Sequence, residues 1–362
     1  MISKNKPLRI FGISWEDNGV GWYRVIQPLK GLTLEDATYP VRVVHTPFSG
    51  QMWIIEHKMP EQDFYNAMID SDIVYSTVPK NQEQMSYLVA ARKGVKNKVV
   101  VDIDDYLSML NYDHPNKFAF EMENPHNPAF IAYSALKMAD MVTTTTDYLR
   151  DAYKMHNKNI FVNPNTMDID LWDKLKPARD HKRIRIGWAG ASGHIADLKM
   201  VAKAVNKIKE IYGNKVEIIL FGDKNKQFKL DRHQPFVSIV DYHATYKKLG
   251  FDIAIAPMLD SAYNRGKSNL RLLEAGVNRI PVVASPVGPY KDFPCLYASE
   301  YEEWVKQLRK LVDHKIFREK LGNNARKEVE DKYSLKGNSS RLYNKLLQLN
   351  RKPYKNIKLD DF

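Results

Sequence analysis

Tyr263–Ser285 reads YNRGKSNLRLLEAGVNRIPVVAS, and the order of elements in it decides the fold. Small and polar residues (Asn264, Arg265, Gly266, Lys267, Ser268, Asn269) open a helix whose apolar face carries Leu270, Leu273 and Val277. Gly276 and Asn278 are expected to stop that helix, and IPVVAS then reads as a buried strand. Just upstream, DIAIAP (Asp252–Pro257) is another short apolar run of strand type. Strand, loop, helix and strand in that order are a βαβ unit of a parallel sheet. At the start of the helix the first backbone N–H groups lack intrahelical partners and the dipole is positive. Arg265 and Lys267 add full charges there, so the segment is a natural anion site. Glu274 lies about one and a half turns beyond Ser268 at roughly 3.6 residues per turn, placed to accept hydrogen bonds from paired ribose hydroxyls. An exposed basic turn with a surface glutamate fits the same residues.

The same alternation extends in both directions. Downstream of a polar, proline-bearing linker (LKPARDHKR, 175–183), IRIGWAG (Ile184–Gly190) begins a second series. Its first helix puts Ile195, Leu198, Val201, Ala202, Val205, Ile208 and Tyr212 on one stripe, with Gly213 as the stop. VEIILFG (216–222), VSIVDY (237–242), DIAIAP and IPVVAS are expected to be its further strands. Upstream, the strand candidates are Leu8–Ser14, Val41–His45, Asp72–Thr77, Lys98–Asp104 and Met141–Thr145, separated by helical patterns at 63–69, 82–94 and 128–140. SSRLYNKLLQLN (339–350) reads as a last helix, and RKPYKNIKLDDF after it as a frayed tail.

At 362 residues, and with about 150 residues per domain, two domains are expected. No apolar run approaches the roughly 18 residues of a membrane span, and the N-terminus lacks the pattern of a signal peptide. A single cysteine, Cys295, excludes an internal disulfide and a multi-cysteine zinc site, and fits a reducing cytoplasm. The net charge of +12 draws polyanions such as nucleic acid, anionic lipid or sugar phosphates; plain solubility accounts for it too.

Several other stretches carry candidate chemistry. Gly19, Val20 and Gly21 sit between the first strand and the first helix, where glycine lets backbone approach a ligand; the pattern is not GxGxxG, since Arg24 stands where the third glycine belongs. Gly190, Ala191, Ser192 and Gly193 form a similar small-residue loop. Each reads equally well as a tight βα turn. In VVVDIDDYL, Asp102, Asp104 and Asp105 gather at the carboxyl end of a strand, where open α/β sheets bind ligands. They fit acceptor orientation or base chemistry, a helix cap, or a cation site. The long connection Tyr106–Asn127 offers Phe118, Phe120 and His126 for acceptor stacking, or packs on itself. His45 and His114 read as ordinary polar residues.

Gly266–Ser285 resembles the donor-binding signature of family-4 GT-B glycosyltransferases, in which a loop and a helix ending in Glu-Ala-Gly or Glu-Ala-Met hold a nucleotide sugar. Asn163–Asp168, with Pro164-Asn165-Thr166-Met167-Asp168, resembles the same family's PNGVD stretch. The resemblance implies two Rossmann-like βα domains facing across a cleft: an acceptor-side domain (1–176), a nucleotide-sugar domain (177–333) and a helix crossing back (334–362). It implies metal-independent transfer of a sugar, with retention, from a nucleotide sugar serving as co-substrate, and Glu274 as the second glutamate of the family's pair. Gly266 stands where the first glutamate falls, and the arginine of the usual GR…K motif is absent. The leaving-group role therefore moves to Arg265 and Lys267, with Ser268, Asn269 and Leu270 opening the helix beneath the donor. The compact form is similar to glycosyltransferases of bacteriophage genomes, some of which modify hydroxylated bases in DNA. The alternatives are a peripheral-membrane transferase for envelope or lipid-linked glycans, and a non-catalytic nucleotide-sugar or nucleic-acid binding protein on the same scaffold.

Overall fold

A computed structural model describes residues 7–34, 41–45, 61–110, 127–178 and 182–354, with the backbone alone of Val44, His45, Glu61 and Ser192. His114, Phe118, Phe120 and His126 lie outside the described residues, as does the His45 side chain. The described residues divide into two units: 7–34, 41–45, 61–108, 127–166 and 335–354 form the first, and 109–110, 167–178 and 182–334 the second.

In the first unit six parallel strands lie in the order β2-β1-β3-β4-β5-β6. They are β1 (Leu8–Ile13), β2 (Val41–His45), β3 (Ile73–Thr77), β4 (Lys98–Ile103), β5 (Met141–Thr144) and β6 (Ile160–Val162). Side chains alternate across a strand, and here the alternation sorts two cores. Phe11, Ile13, Val74, Val99, Val101 and Val142 face one layer with Phe64, Leu88 and Leu136. Leu8, Ile10, Ile73, Tyr75, Val100 and Met141 face the other, under Val25 and Leu29 of one helix and Leu342 and Leu346 of the C-terminal helix Leu335–Arg351. That last helix lies so close that a Cβ at Gly31 would stand 2.5 Å from Ser339 Oγ.

The second unit repeats the plan, in the order β12-β11-β10-β7-β8-β9, all parallel. Its strands are β7 (Ile184–Gly190), β8 (Val216–Gly222), β9 (Arg232–Gln234), β10 (Ile253–Ala256), β11 (Val282–Ala284) and β12 (Leu296–Tyr297). Helix Ile195–Tyr212 buries Leu198, Val201, Ala202, Val205 and Ile208 of the expected stripe, leaves Ile195 and Tyr212 at its ends half-buried, and stops at Gly213 with φ 53°.

Two local expectations are corrected. VSIVDY is not a strand: Ser238 caps a helix, Ile239–Leu249, accepting from the Asp241 N–H, and Ile239, His243, Tyr246 and Leu249 are its buried positions. That spacing of three and four is helical, and Pro235 ends the preceding strand β9 instead. Gly276 does not stop its helix but sits inside Leu270–Val277. A Cβ there would come within 2.9 Å of Val329 Cγ2 and 3.0 Å of the Ala325 carbonyl on helix Lys315–Tyr333. Backbone cannot yield as a side chain can, so Gly276→Ala should cost about 1–3 kcal/mol by overpacking, read as a lower urea midpoint with an unchanged slope. The helix ends instead at Asn278, and Arg279 takes the left-handed turn at φ 58°.

Candidate functional site

Open parallel sheets bind ligands outside the carboxyl ends of their strands, where neighbouring strands lead away in opposite directions. In the second unit that place lies between β7 and β10: from β7 the chain moves on to β8 on one side, and β10 pairs on the other. The loops there are Ala191–His194 after β7 and Pro257–Asn269 after β10, and the latter feeds helix Leu270–Val277. The sequence-derived Gly190, Ser192, Gly193, Gly266, Lys267, Ser268, Asn269 and Leu270 are thereby brought to one end of one sheet.

Asp197, 1% exposed, ties these loops together. One of its oxygens accepts from the Leu259 N–H (2.8 Å) and Asn264 Nδ2 (3.0 Å), and the other pairs with His194 Nδ1 (2.7 Å). Burial, joined by the charges of Arg271 and Lys267, holds His194 far below its usual range, at about 3, against the opposing pull of Asp197. The ring is therefore neutral at pH 7. Because its folded-state pKa is depressed, its contribution to stability is present above the unfolded value of about 6.5 and is lost as pH falls toward 3. Wild-type Tm should fall between pH 7 and pH 4, and His194→Gln should flatten that slope in a buffer series.

Arg271, which sequence reasoning passed over, is the second positive charge of this site. It occupies the second position of helix Leu270–Val277, where Nε donates to the Ala189 carbonyl (3.2 Å) and the guanidinium lies over Trp188, 5.3 Å from the ring centroid. Its Nη1 is buried with no hydrogen-bond partner among the described residues. A Cβ at Gly190 would stand 2.6 Å from Trp188 Cζ2 and 2.8 Å from Nη2, so the glycine leaves room for the indole and the guanidinium together. The spacing Arg271-x-x-Glu274, which puts both on one helix face, was the available signal.

Of the two cations named from sequence, Lys267 is placed at the site: its ammonium lies 4.4 Å from the Tyr263 ring centroid, and its field reaches His194 and Tyr290. Arg265 is turned to Asp260, which it grips with Nε (2.6 Å) and Nη2 (3.0 Å), both side chains more than half exposed. Glu274 is 4% exposed and accepts from the Tyr242 hydroxyl (3.0 Å), whose ring stacks on Phe221 at 5.0 Å. Burial first, and then the charge of Glu274, raise Tyr242 and Tyr246 well above the usual tyrosine range.

In the first unit the corresponding place lies between β1 and β3. Asn18 caps the helix that starts there, its Oδ1 accepting from the Val20 N–H (2.8 Å), and Gly19, Val20 and Gly21 form the first turn, with open space beside Gly19. Helical winding continues through Trp22–Ile26 and Gln27–Lys30. Asp102 is not exposed to any ligand. By parity with Val100 it points to the face this helix covers, where Arg24 grips both oxygens (2.9 and 2.8 Å) and Thr143 Oγ1 donates at 2.5 Å. Arg24 also donates to Asn165 (2.8 Å), and Gln27 to the Thr166 carbonyl (2.5 Å). The PNGVD-like stretch is thus bonded to the glycine-bearing helix. Asp104 and Asp105, beyond the strand, are half-buried near Lys80, which pairs with Glu16. Desolvation lowers the Lys80 pKa, and the two aspartates oppose that shift. Among the described residues no group of three His, Cys, Asp or Glu side chains is arranged to hold a metal ion.

No protein-family model matches the sequence, and no curated protein does. Solved structures match the fold over nearly the whole chain. An α-glucosyltransferase in complex with UDP and DNA containing an HMU base has a TM-score of 0.63 at 11% identity, covering 96% of this chain and 100% of that one. Alr3699/HepE of Anabaena with UDP-glucose gives 0.62 at 12% identity, over 94% and 100%. A UDP-forming α,α-trehalose-phosphate synthase from Burkholderia xenovorans gives 0.60 at 10%, over 96% and 100%. The fold is therefore α/β of the GT-B kind, two Rossmann-like βα domains.

Proposed function

We propose that this chain is a glycosyltransferase of the family-4 type that takes its sugar from a uridine diphosphate donor. The observation that carries this reading is the convergence of Lys267, Arg271, the glycine loop after β7 and the first amides of helix Leu270–Val277 at one switch point. Breaking the bond between the sugar and the diphosphate leaves negative charge on the phosphate oxygens, and preorganised donors in a partly dry site stabilise that charge. Lys267 and Arg271 supply it as full charges; Ser268, Asn269 and Leu270 supply it as backbone amides. These groups can do so without a divalent ion, so we assign a metal-independent reaction. Glu274 receives the ribose hydroxyls, its carboxylate oriented by Tyr242. Retention follows if the leaving phosphate itself assists attack on the same face.

On the first unit, Asp104 and Asp105 orient the acceptor hydroxyl, and Asp102 acts only through Arg24. The acceptor we propose is a hydroxylated base in DNA. The charge of +12 and the DNA in one similar structure support that choice. Among the described residues no helix is long and apolar enough to cross a membrane. The test is incubation with UDP-glucose and duplex DNA carrying hydroxymethyluracil, with a chelator present. Release of UDP with a hexose added to the DNA is expected. UDP-glucose bound but neither transferred nor hydrolysed would leave a binding protein instead.

A further inference from the structure

We propose that the open groove along the outer side of helix Ile195–Tyr212 is a docking site for the sugar-phosphate backbone of nucleic acid. The inference rests on the lysines of this groove and does not require the sugar-transfer reading. The helix spends its inner face on Leu198, Val201, Val205 and Ile208, all buried. Lys199, Lys203 and Lys207 therefore project outward at four-residue intervals, about 6 Å apart along the axis at 1.5 Å per residue. The opposite wall is the segment around Lys229. It is fixed to the helix by Asn206, which donates to the Gln227 carbonyl and accepts from the Lys229 N–H, both at 2.7 Å. Between the walls lies a volume of about 580 Å³, lined also by Tyr301, whose ring holds the Lys203 ammonium at 4.8 Å.

Four lysines and one glutamate line this groove, a surplus of three positive charges. Glu210 bridges the walls by pairing with Lys207 (3.5 Å) and Lys229 (3.0 Å). A row of like charges in a concave surface repels itself and is stabilised by a string of anions at similar spacing. Lysines grip phosphates as point charges without reading bases, so the site should bind strands regardless of sequence. A concave floor with carboxamide walls suits a strand better than the flat surface of a lipid headgroup layer.

The experiment is fluorescence anisotropy of labelled duplex DNA with the full chain and with a Lys199→Gln/Lys203→Gln/Lys207→Gln variant, at about 50 and 200 mM salt. Each phosphate contact contributes about 0.9 to the slope of log affinity on log salt. The variant should lose about 2.7 of that slope, which makes the wild type on the order of 40-fold more salt-sensitive over this fourfold range. A triple Lys→Arg variant should behave as wild type. UDP-induced thermal shifts in all three report the donor site separately and confirm folding. Equal DNA affinity and slope in wild type and the Gln variant would overturn the proposal. So would loss of binding to phosphatidylserine vesicles with DNA binding intact.

Discussion

Replacing Arg271 with alanine should lower turnover by about 10²–10³, the usual cost of one preorganised donor to a developing anion. The expectation comes from geometry. Arg271 is anchored by the Ala189 carbonyl and the Trp188 ring, and Nη1 lacks a hydrogen-bond partner among the described residues. A buried donor left unbonded in the protein costs about 1–3 kcal/mol, and a diphosphate oxygen would remove that cost. Arg271→Lys should restore little, because an ammonium cannot keep the Ala189 and Trp188 contacts while presenting a second N–H. Gly190→Ala should mimic the defect, since its Cβ would stand 2.6 Å from Trp188 Cζ2 and 2.8 Å from Nη2, displacing the guanidinium and the ring beneath it. Initial rates of UDP release check all three. A kcat within threefold of wild type in Arg271→Ala would remove this residue from the reaction.

The second large effect is on stability. Arg24 and Asp102 are each 1% exposed in the side chain. Removing one partner of a buried pair leaves an uncompensated charge, worth about 3–5 kcal/mol, a large share of the roughly 5–15 kcal/mol that holds a typical domain folded. Asp102→Ala should therefore unfold at much lower urea. The double replacement Arg24→Met/Asp102→Leu should be markedly more stable than either single change, because neither charge is then stranded. Additive losses in the cycle would show that the pair does not act as a unit. Any lost activity in Asp102→Ala should track the folded fraction.

The strands were legible because both sheets are parallel and covered on both faces, so each shows as a short apolar run: β2, β7 and β8 match their sequence-derived bounds. The short edge strands β6, β9 and β12 were missed, since two or three residues carry no period. Ile239–Leu249 was misread because VSIVDY alone is β-branched, and the helical spacing emerges only when His243 and Tyr246 are included. At the site, Lys267 and the glycine loops were legible as punctuation between strand and helix. Arg271 was not. A charged residue near a helix start reads as solvated, yet this helix is buried on nearly every side, with Leu272 through Val277 all inside. Arg265 stood out beside its glycine, and only the fold reveals Asp260 against it. For Asp102, strand parity indicated a face but not which helix would cover it, and Arg24 lies 78 residues away in sequence.

The most direct test is calorimetric titration of UDP into the wild type and a Lys267→Ala/Arg271→Ala variant, with chelator in both cells. Each charge-assisted contact is worth about 1.5–3 kcal/mol, so the wild type should take up one UDP per chain and the variant should bind at least about 10²-fold more weakly. UDP binding of equal strength in both proteins would contradict the placement of the donor phosphates at the start of helix Leu270–Val277.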